Sequence, residues 1–164
     1  MFAMLAETLK GAKVNWLYMS PLVVLLGGAM LLITVAVLTP QWPKRMFALC
    51  SVAISTAAAI LGVVLWHRID QVGSLRIIGQ SMILDKTTVW VTITLCVAVA
   101  MVSLVTDGYL RREGLDGPEV YALYLIAALG GIVMGSAADL IVLFLGLEVL
   151  SISLYVLAAS HRRR

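Results

Sequence analysis

Three segments of the chain, 17–38, 46–66 and 87–106, run without a single charged side chain, and two more, 118–135 and 139–159, carry only Glu119, Asp139 and Glu148. A helix needs about 20 largely apolar residues to cross about 30 Å of hydrocarbon, and each of the five is close to that length. The sequence is therefore read as an all-α, polytopic membrane protein with five spans. Composition agrees: 62% of the 164 residues are hydrophobic and 13% are charged, about half the charged share of a soluble domain. Mean hydropathy is +1.02. A small soluble fold leaves too much of itself exposed to hide this much apolar surface. A soluble enzyme, a nucleic-acid binder and a disordered tail are excluded.

The flanks of the spans mark their ends. The first opens near Pro21 and closes before Pro40, and the fourth starts at Pro118, a residue suited to a first helical turn. Trp16, Trp42, Trp66 and Trp90 all lie at or near span ends, where amphipathic rings prefer the headgroup layer. No small-x-small cleavage site follows the first apolar run, so it reads as a membrane helix and not as a leader. The organisation expected is an N-terminal segment, 1–16, one helical membrane domain, 17–159, and a basic end, 160–164.

The connections differ in kind. The first is short and holds Pro40, Pro43, Lys44 and Arg45, while 107–117 is polar and turn-rich. The longest, 67–86, mixes Gly73 and Gly79 with the apolar stretch 75–78, a pattern that predicts a small hairpin on the membrane surface. Only Ser136, Ala137 and Ala138 separate the last two spans, so these must form a tight antiparallel pair.

The net charge of +3 reports topology and contact with anionic headgroups, not nucleic acid. Lys44, Arg45, Arg111, Arg112, Arg162, Arg163 and Arg164 fall on one side, against Lys10, Lys13, Arg68, Arg76 and Lys86 on the other. This bias puts the N-terminus outside and the C-terminus in the cytoplasm. Cys50 and Cys96 lie within apolar runs and read as small buried hydrophobes, without disulfide or metal role. His67 and His161 sit solvated at span ends. There is no zinc spacing, glycine-rich phosphate loop, or flavin or dinucleotide fingerprint, so no cofactor is expected in this chain.

Most acidic residues fall in loops, where solvation explains them. Asp139 begins the fifth span and is placed to cap free N–H groups at the positive end of the helix dipole. Glu148 stands apart. It lies nine residues further on, about 13–14 Å along the axis and so near the bilayer midplane. A charge at that depth costs at least about 2.5–3.5 kcal/mol. The group offsets this by taking a proton or by finding a partner. Helical spacing puts Phe144, Leu145, Ser151, Ile152 and Tyr155 on its face; Ser151 and Tyr155 offer hydrogen bonds, but neither is a counter-ion. The interiors of the other four spans hold no Lys, Arg or His. Two readings stand: a protonated Glu that only glues helices, or a proton-carrying site whose partner lies outside these residues. Gly131 and Gly135 form a G-x-x-x-G spacing that permits close helix packing.

The segment 119–159 resembles the antiporter-like membrane subunits of respiratory complex I, NADH–quinone oxidoreductase, and within them the subunit N branch with its mitochondrial subunit 2 counterpart. Its most specific piece is DLIVLFLGLEVLSISLYVLAA, 139–159, with the acid embedded in GLEVLS. LRIIGQSMILDKTTVWV, 75–91, and the tyrosine and leucines after Pro118 are weaker matches. The resemblance implies an N-terminal, five-helix portion of an antiporter-like bundle that conducts protons, driven by quinone reduction elsewhere in the complex. In the family the fifth-helix glutamate pairs with a lysine on a later helix, and further lysines continue the path along the midplane. That glutamate maps onto Glu148, while the later lysines have no counterpart in this sequence.

The implied partners are the other membrane subunits of complex I and the lipid bilayer. NADH, FMN, iron–sulfur clusters and quinone would be handled by other subunits, making this chain a non-redox component of the oxidoreductase without catalytic chemistry of its own. The implied location is the bacterial plasma membrane, or the mitochondrial inner membrane as the alternative. Competing readings are a subunit of a multisubunit cation/proton antiporter or membrane-bound hydrogenase, and a non-pumping scaffold.

Overall fold

The structure is a computed structural model that describes residues 16–39, 43–77, 81–113 and 117–160. Trp42, Gly79, His161 and the basic residues of the two chain ends therefore lie outside the described residues. Among the described residues five helices are long and apolar enough to cross a membrane, and a short hairpin joins the second to the third. In chain order the elements are α1 (Ser20–Leu38), α2 (Lys44–Val72), β1 (Leu75–Ile77), β2 (Met82–Leu84), α3 (Lys86–Glu113), α4 (Pro118–Gly135) and α5 (Leu140–Ser160). The all-α polytopic architecture is as the apolar runs specify.

α1 carries Pro21 in its first turn and ends at Thr39, whose N–H and hydroxyl both donate to the Val35 carbonyl. Its buried residues, Pro21, Leu25, Ala29 and Leu32, recur at the spacing of one helical stripe. That single stripe meets α2 and α4, and the rest of α1 faces outward.

α2 and α3 outrun the expected spans at the polar end of each. α2 continues past Trp66 to Val72 and α3 past Thr106 to Glu113. At 29 and 28 residues they are about 42–44 Å long, well beyond about 30 Å of hydrocarbon. The reason is that loss of apolar character does not stop a helix. His67, Arg68, Asp70 and Gln71 all tolerate helical backbone, and α2 ends only where Gly73 takes a φ of +81°, a conformation that suits glycine.

These two helices meet along a seam. Ala48, Ser51, Ser55, Ala58, Gly62, Leu65 and Ile69 are buried on α2, and Val89, Thr92, Cys96, Val99, Ser103 and Asp107 on α3. Up to Ser103 the alternating steps of three and four residues are those of a coiled-coil seam, and Asp107 follows after a second step of four. Most seam residues are small or hydroxylic, which lets backbones approach where lipid supplies no hydrophobic drive. Ser51 and Ser103 share a hydrogen bond of 3.0 Å across the seam. Asp107, expected in a solvated loop, is instead buried here, one turn beyond Ser103.

The hairpin pairs Leu75 with Leu84, Arg76 with Ile83 and Ile77 with Met82. It does not lie free on a surface: Met82 and Leu84 are buried with Leu65, Ile69 and Val89, and Val142 packs against this cluster. By connectivity the hairpin, the start of α1 and the α4–α5 turn share one end of the bundle. Trp16, Trp66 and Trp90 fall at this same end. Here too Lys86 at the start of α3 pairs with Asp70 near the end of α2 at 2.5 Å and sits 5.7 Å from the centre of the Trp66 ring.

α4 is the centre of the bundle and contacts all four other helices. Its buried face includes Tyr121, Ala122, Leu125, Ala128 and Ile132, and Tyr124 shares a 3.0 Å hydrogen bond with Thr106 of α3. α5 leans on α4 and makes only marginal contact with the other helices.

Candidate functional site around Glu148

α5 is held to α4 by a backbone-to-backbone crossing at two glycines. A Cβ on Gly146 would come 2.7 Å from the Met134 nitrogen and 2.9 Å from the Gly130 carbonyl oxygen. A Cβ on Gly130 would come 2.7 Å from the Leu150 nitrogen and 2.9 Å from the Gly146 carbonyl oxygen. Neither space admits a side chain, so the crossing exists only with glycine on both helices. The Gly131 and Gly135 pair looks elsewhere. Gly131 faces the Leu95 side chain and Gly135 faces Val91, both on α3, although Gly131 also has a Leu150 methyl in ordinary contact. The glycine pair that sets the α4–α5 distance is thus Gly130 with Gly146. The adjacent glycines at 130 and 131 hint at a packing site, but sequence alone does not say which faces which helix.

The crossing fixes where Glu148 points. Two residues beyond Gly146 it stands about 200° around the helix, on the side turned away from α4. Around it lie Ile141, Phe144, Leu145, Ile152 and Tyr155, all exposed. Only 11% of the most apolar stretch of α5 is buried, against 28–39% in the other four helices. Glu148 itself is half-buried and is the ninth of the 21 residues of α5, close to its middle. Among the described residues it has neither a hydrogen-bond nor an ion-pair partner.

Ser151 and Tyr155 lie on the Glu148 side of α5, as the helical spacing requires. Neither is hydrogen-bonded to Glu148, and Tyr155 is 73% exposed. The buried serine of this helix is Ser153, on the opposite face, whose hydroxyl donates to the Val149 carbonyl. Asp139 is exposed, and its carboxylate caps nothing among the described residues; its backbone carbonyl accepts from the Leu143 N–H at 3.0 Å.

Of the other acids, Asp85 has a structural role and Asp70 stays partly exposed in an ion pair. Asp85 Oδ1 accepts from the Thr88 N–H at 2.7 Å and the Thr88 hydroxyl at 2.9 Å, capping α3. Asp70 holds Lys86. Cys96 is buried and Cys50 half-buried, both as free thiols. Among the described residues no three His, Cys, Asp or Glu side chains converge as a metal site. What the site offers is one mid-helix carboxyl on an apolar face that the other described helices leave open.

Fold and site together define a multi-pass helical membrane protein with a carboxylic acid midway along an open apolar helix face. Sequence comparison narrows the class. No protein-family model matches the chain. It is 34% identical over 146 residues to NADH-quinone oxidoreductase subunit N 2 of Roseiflexus castenholzii, covering 88% of this chain and 28% of that protein. With subunit N of Trichlorobacter lovleyi the identity is 31% over 157 residues, covering 96% and 31%. With subunit N of a Geobacillus species it is 34% over 153 residues, covering 90% and 30%. The chain is a homologue of NADH-quinone oxidoreductase subunit N, and it spans about three-tenths of the length of the relatives it matches.

Proposed function

We propose that these residues form part of a membrane subunit of a proton-translocating NADH–quinone oxidoreductase, in which Glu148 takes up and releases a proton near mid-membrane. The observation that carries this reading is the placement of Glu148, half-buried on the open face of α5 and opposite the Gly130–Gly146 crossing. An acid is costly there unless it is protonated or meets a base. The apolar spans 17–38, 46–66, 87–106, 118–135 and 139–159 hold no Lys, Arg or His, so the base comes from a helix packed against this face. Approach of that base favours the carboxylate and its withdrawal favours the acid. A carboxyl that changes charge this way is a proton-carrying step.

NADH oxidation and quinone reduction are assigned to other subunits holding the flavin and iron–sulfur clusters, and the partners are further membrane subunits of the same complex. The bacterial sources of the relatives support a plasma-membrane location. The Lys/Arg bias supports an orientation with the hairpin end outside and the α2 start and α5 end in the cytoplasm. Glu148→Gln keeps the shape and hydrogen-bonding capacity but cannot ionise. In the assembled complex it should lower protons pumped per electron more than it lowers complex abundance. Unchanged pumping per electron would overturn the assignment.

A further inference from the structure

We propose that the β hairpin is a clamp that fixes how the Glu148-bearing helix leaves the α4–α5 turn, with Thr88 as the positioning residue that locks it. The proposal rests on the Glu148 reading for its functional consequence, but not for the clamp itself.

β2 has two partners. On one edge it pairs with β1; on the other it pairs with the α4–α5 turn, through a bridge between Met82 and Ala137. The Ile83 N–H donates to the Ser136 carbonyl at 2.8 Å, and the Ala138 N–H donates to the Ser81 carbonyl at 3.0 Å. The turn is thus joined to the free edge of β2 by an isolated antiparallel bridge. Thr88, 3% exposed, stands where the three segments converge. Its hydroxyl lies 2.9 Å from Asp85 Oδ1, 3.1 Å from the Ile83 carbonyl and 3.3 Å from the Gly135 carbonyl. The hydroxyl has one proton to share among these three acceptors, so it sits between the end of β2 and the start of α3 and reaches the end of α4 through the longest of the three contacts. The hairpin is anchored in turn by buried Met82 and Leu84 and, at the far ends of its two legs, by the Asp70–Lys86 pair.

α5 needs such a clamp more than any other helix. It leans chiefly on α4, through a glycine crossing that sets distance but carries no side chains at its closest point, and Val142 adds a contact with the hairpin cluster. The clamp supplies the second fixed point, at the end of the helix where the chain enters it. Rotation of α5 about the Gly146 crossing would swing Glu148 around the helix and would have to break the Ala138 and Ile83 bonds.

The test uses the protein in its native membrane assembly. Thr88→Val keeps shape and removes the hydroxyl; it should raise amide exchange at Ala138 and Ile83 by about tenfold or more, as local opening becomes easier. It should also move the infrared carboxyl band of Glu148, identified as the band lost in Glu148→Gln. Thr88→Ser should restore both. Unchanged exchange in Thr88→Val overturns the clamp. Raised exchange with an unmoved Glu148 band overturns the positioning role. A moved band in an assembly whose pumping ignores Glu148→Gln leaves the clamp standing and removes only the proton reading.

A second variant guards against misfolding. Met82 and Ala137 are a non-hydrogen-bonded antiparallel pair, a geometry with Cα atoms about 4.5 Å apart and within disulfide reach. Met82→Cys with Ala137→Cys, oxidised, should leave the Glu148 band and proton transport as in the reduced form. Loss of transport on oxidation would contradict a clamp that stays closed.

Discussion

The α2–α3 pair and the α4–α5 pair are both antiparallel helix hairpins, yet they solve the packing problem differently. α2 and α3 share a long seam of small and hydroxylic residues at alternating three and four spacing, stitched by the Ser51–Ser103 hydrogen bond. α4 and α5 touch backbone to backbone at Gly130 and Gly146. The first pair is closed: its polar groups are turned inward and satisfied. The second is half-closed, because α4 contacts all four other described helices while α5 keeps its acidic face open. A hydroxyl on a seam is explained by the seam, but a carboxyl on an open apolar face is not explained by anything the five helices contain.

Breaking the glycine crossing should have the largest effect. Gly146→Ala sets a methyl against the Met134 backbone at 2.7 Å, and backbone cannot step aside. The cost should be about 3 kcal/mol or more, read as loss of folded protein in membranes. Gly131→Ala, whose nearest atom is the end of the flexible Leu95 side chain at 2.8 Å, should cost about 1 kcal/mol or less. Equal effects from the two substitutions would erase the distinction between the crossing and ordinary packing.

A smaller effect tests the seam. Ser51→Ala leaves the Ser103 hydroxyl without its partner across the helices, and should cost about 1 kcal/mol in a denaturant titration in micelles. A loss as large as that of Gly146→Ala would mean that the seam depends on this bond and not on close packing. The smallest effect belongs to the exposed clasp at the hairpin end. The Lys86 and Asp70 side chains are 59% and 43% exposed, so solvent screens the pair, and Lys86→Gln should cost about 0.5 kcal/mol or less in the same titration.

The same contrast separates what could be read in the sequence from what could not. The five helices were legible because uninterrupted apolar length is a strong local signal. Glu148 was legible because it is the one charged residue in the interior of a span. The hairpin was legible from glycines around 75–78. The ends of α2 and α3 were not, because hydropathy marks where hydrocarbon stops and not where a helix stops. Asp107 was missed for the same reason: it follows the apolar run and so looks like loop, while the seam continues one more turn to bury it. The bridge between β2 and the α4–α5 turn was invisible because it joins Ser81 and Ile83 to residues more than fifty positions away, and no local pattern encodes that pairing. Gly131 and Gly135 drew notice through their spacing, whereas Gly130 and Gly146, on separate helices, have no shared motif at all.

On the proposed function, the open face of α5 is completed by a helix bearing a base. The most direct measurement is a cryo-electron microscopy structure of the native membrane assembly that resolves the surroundings of Glu148. The expected result is a helix lying over Ile141, Phe144, Ile152 and Tyr155, with a Lys or Arg nitrogen within about 4 Å of the Glu148 carboxyl or one water away. Lipid acyl chains against that face, with no basic group near Glu148, would contradict it.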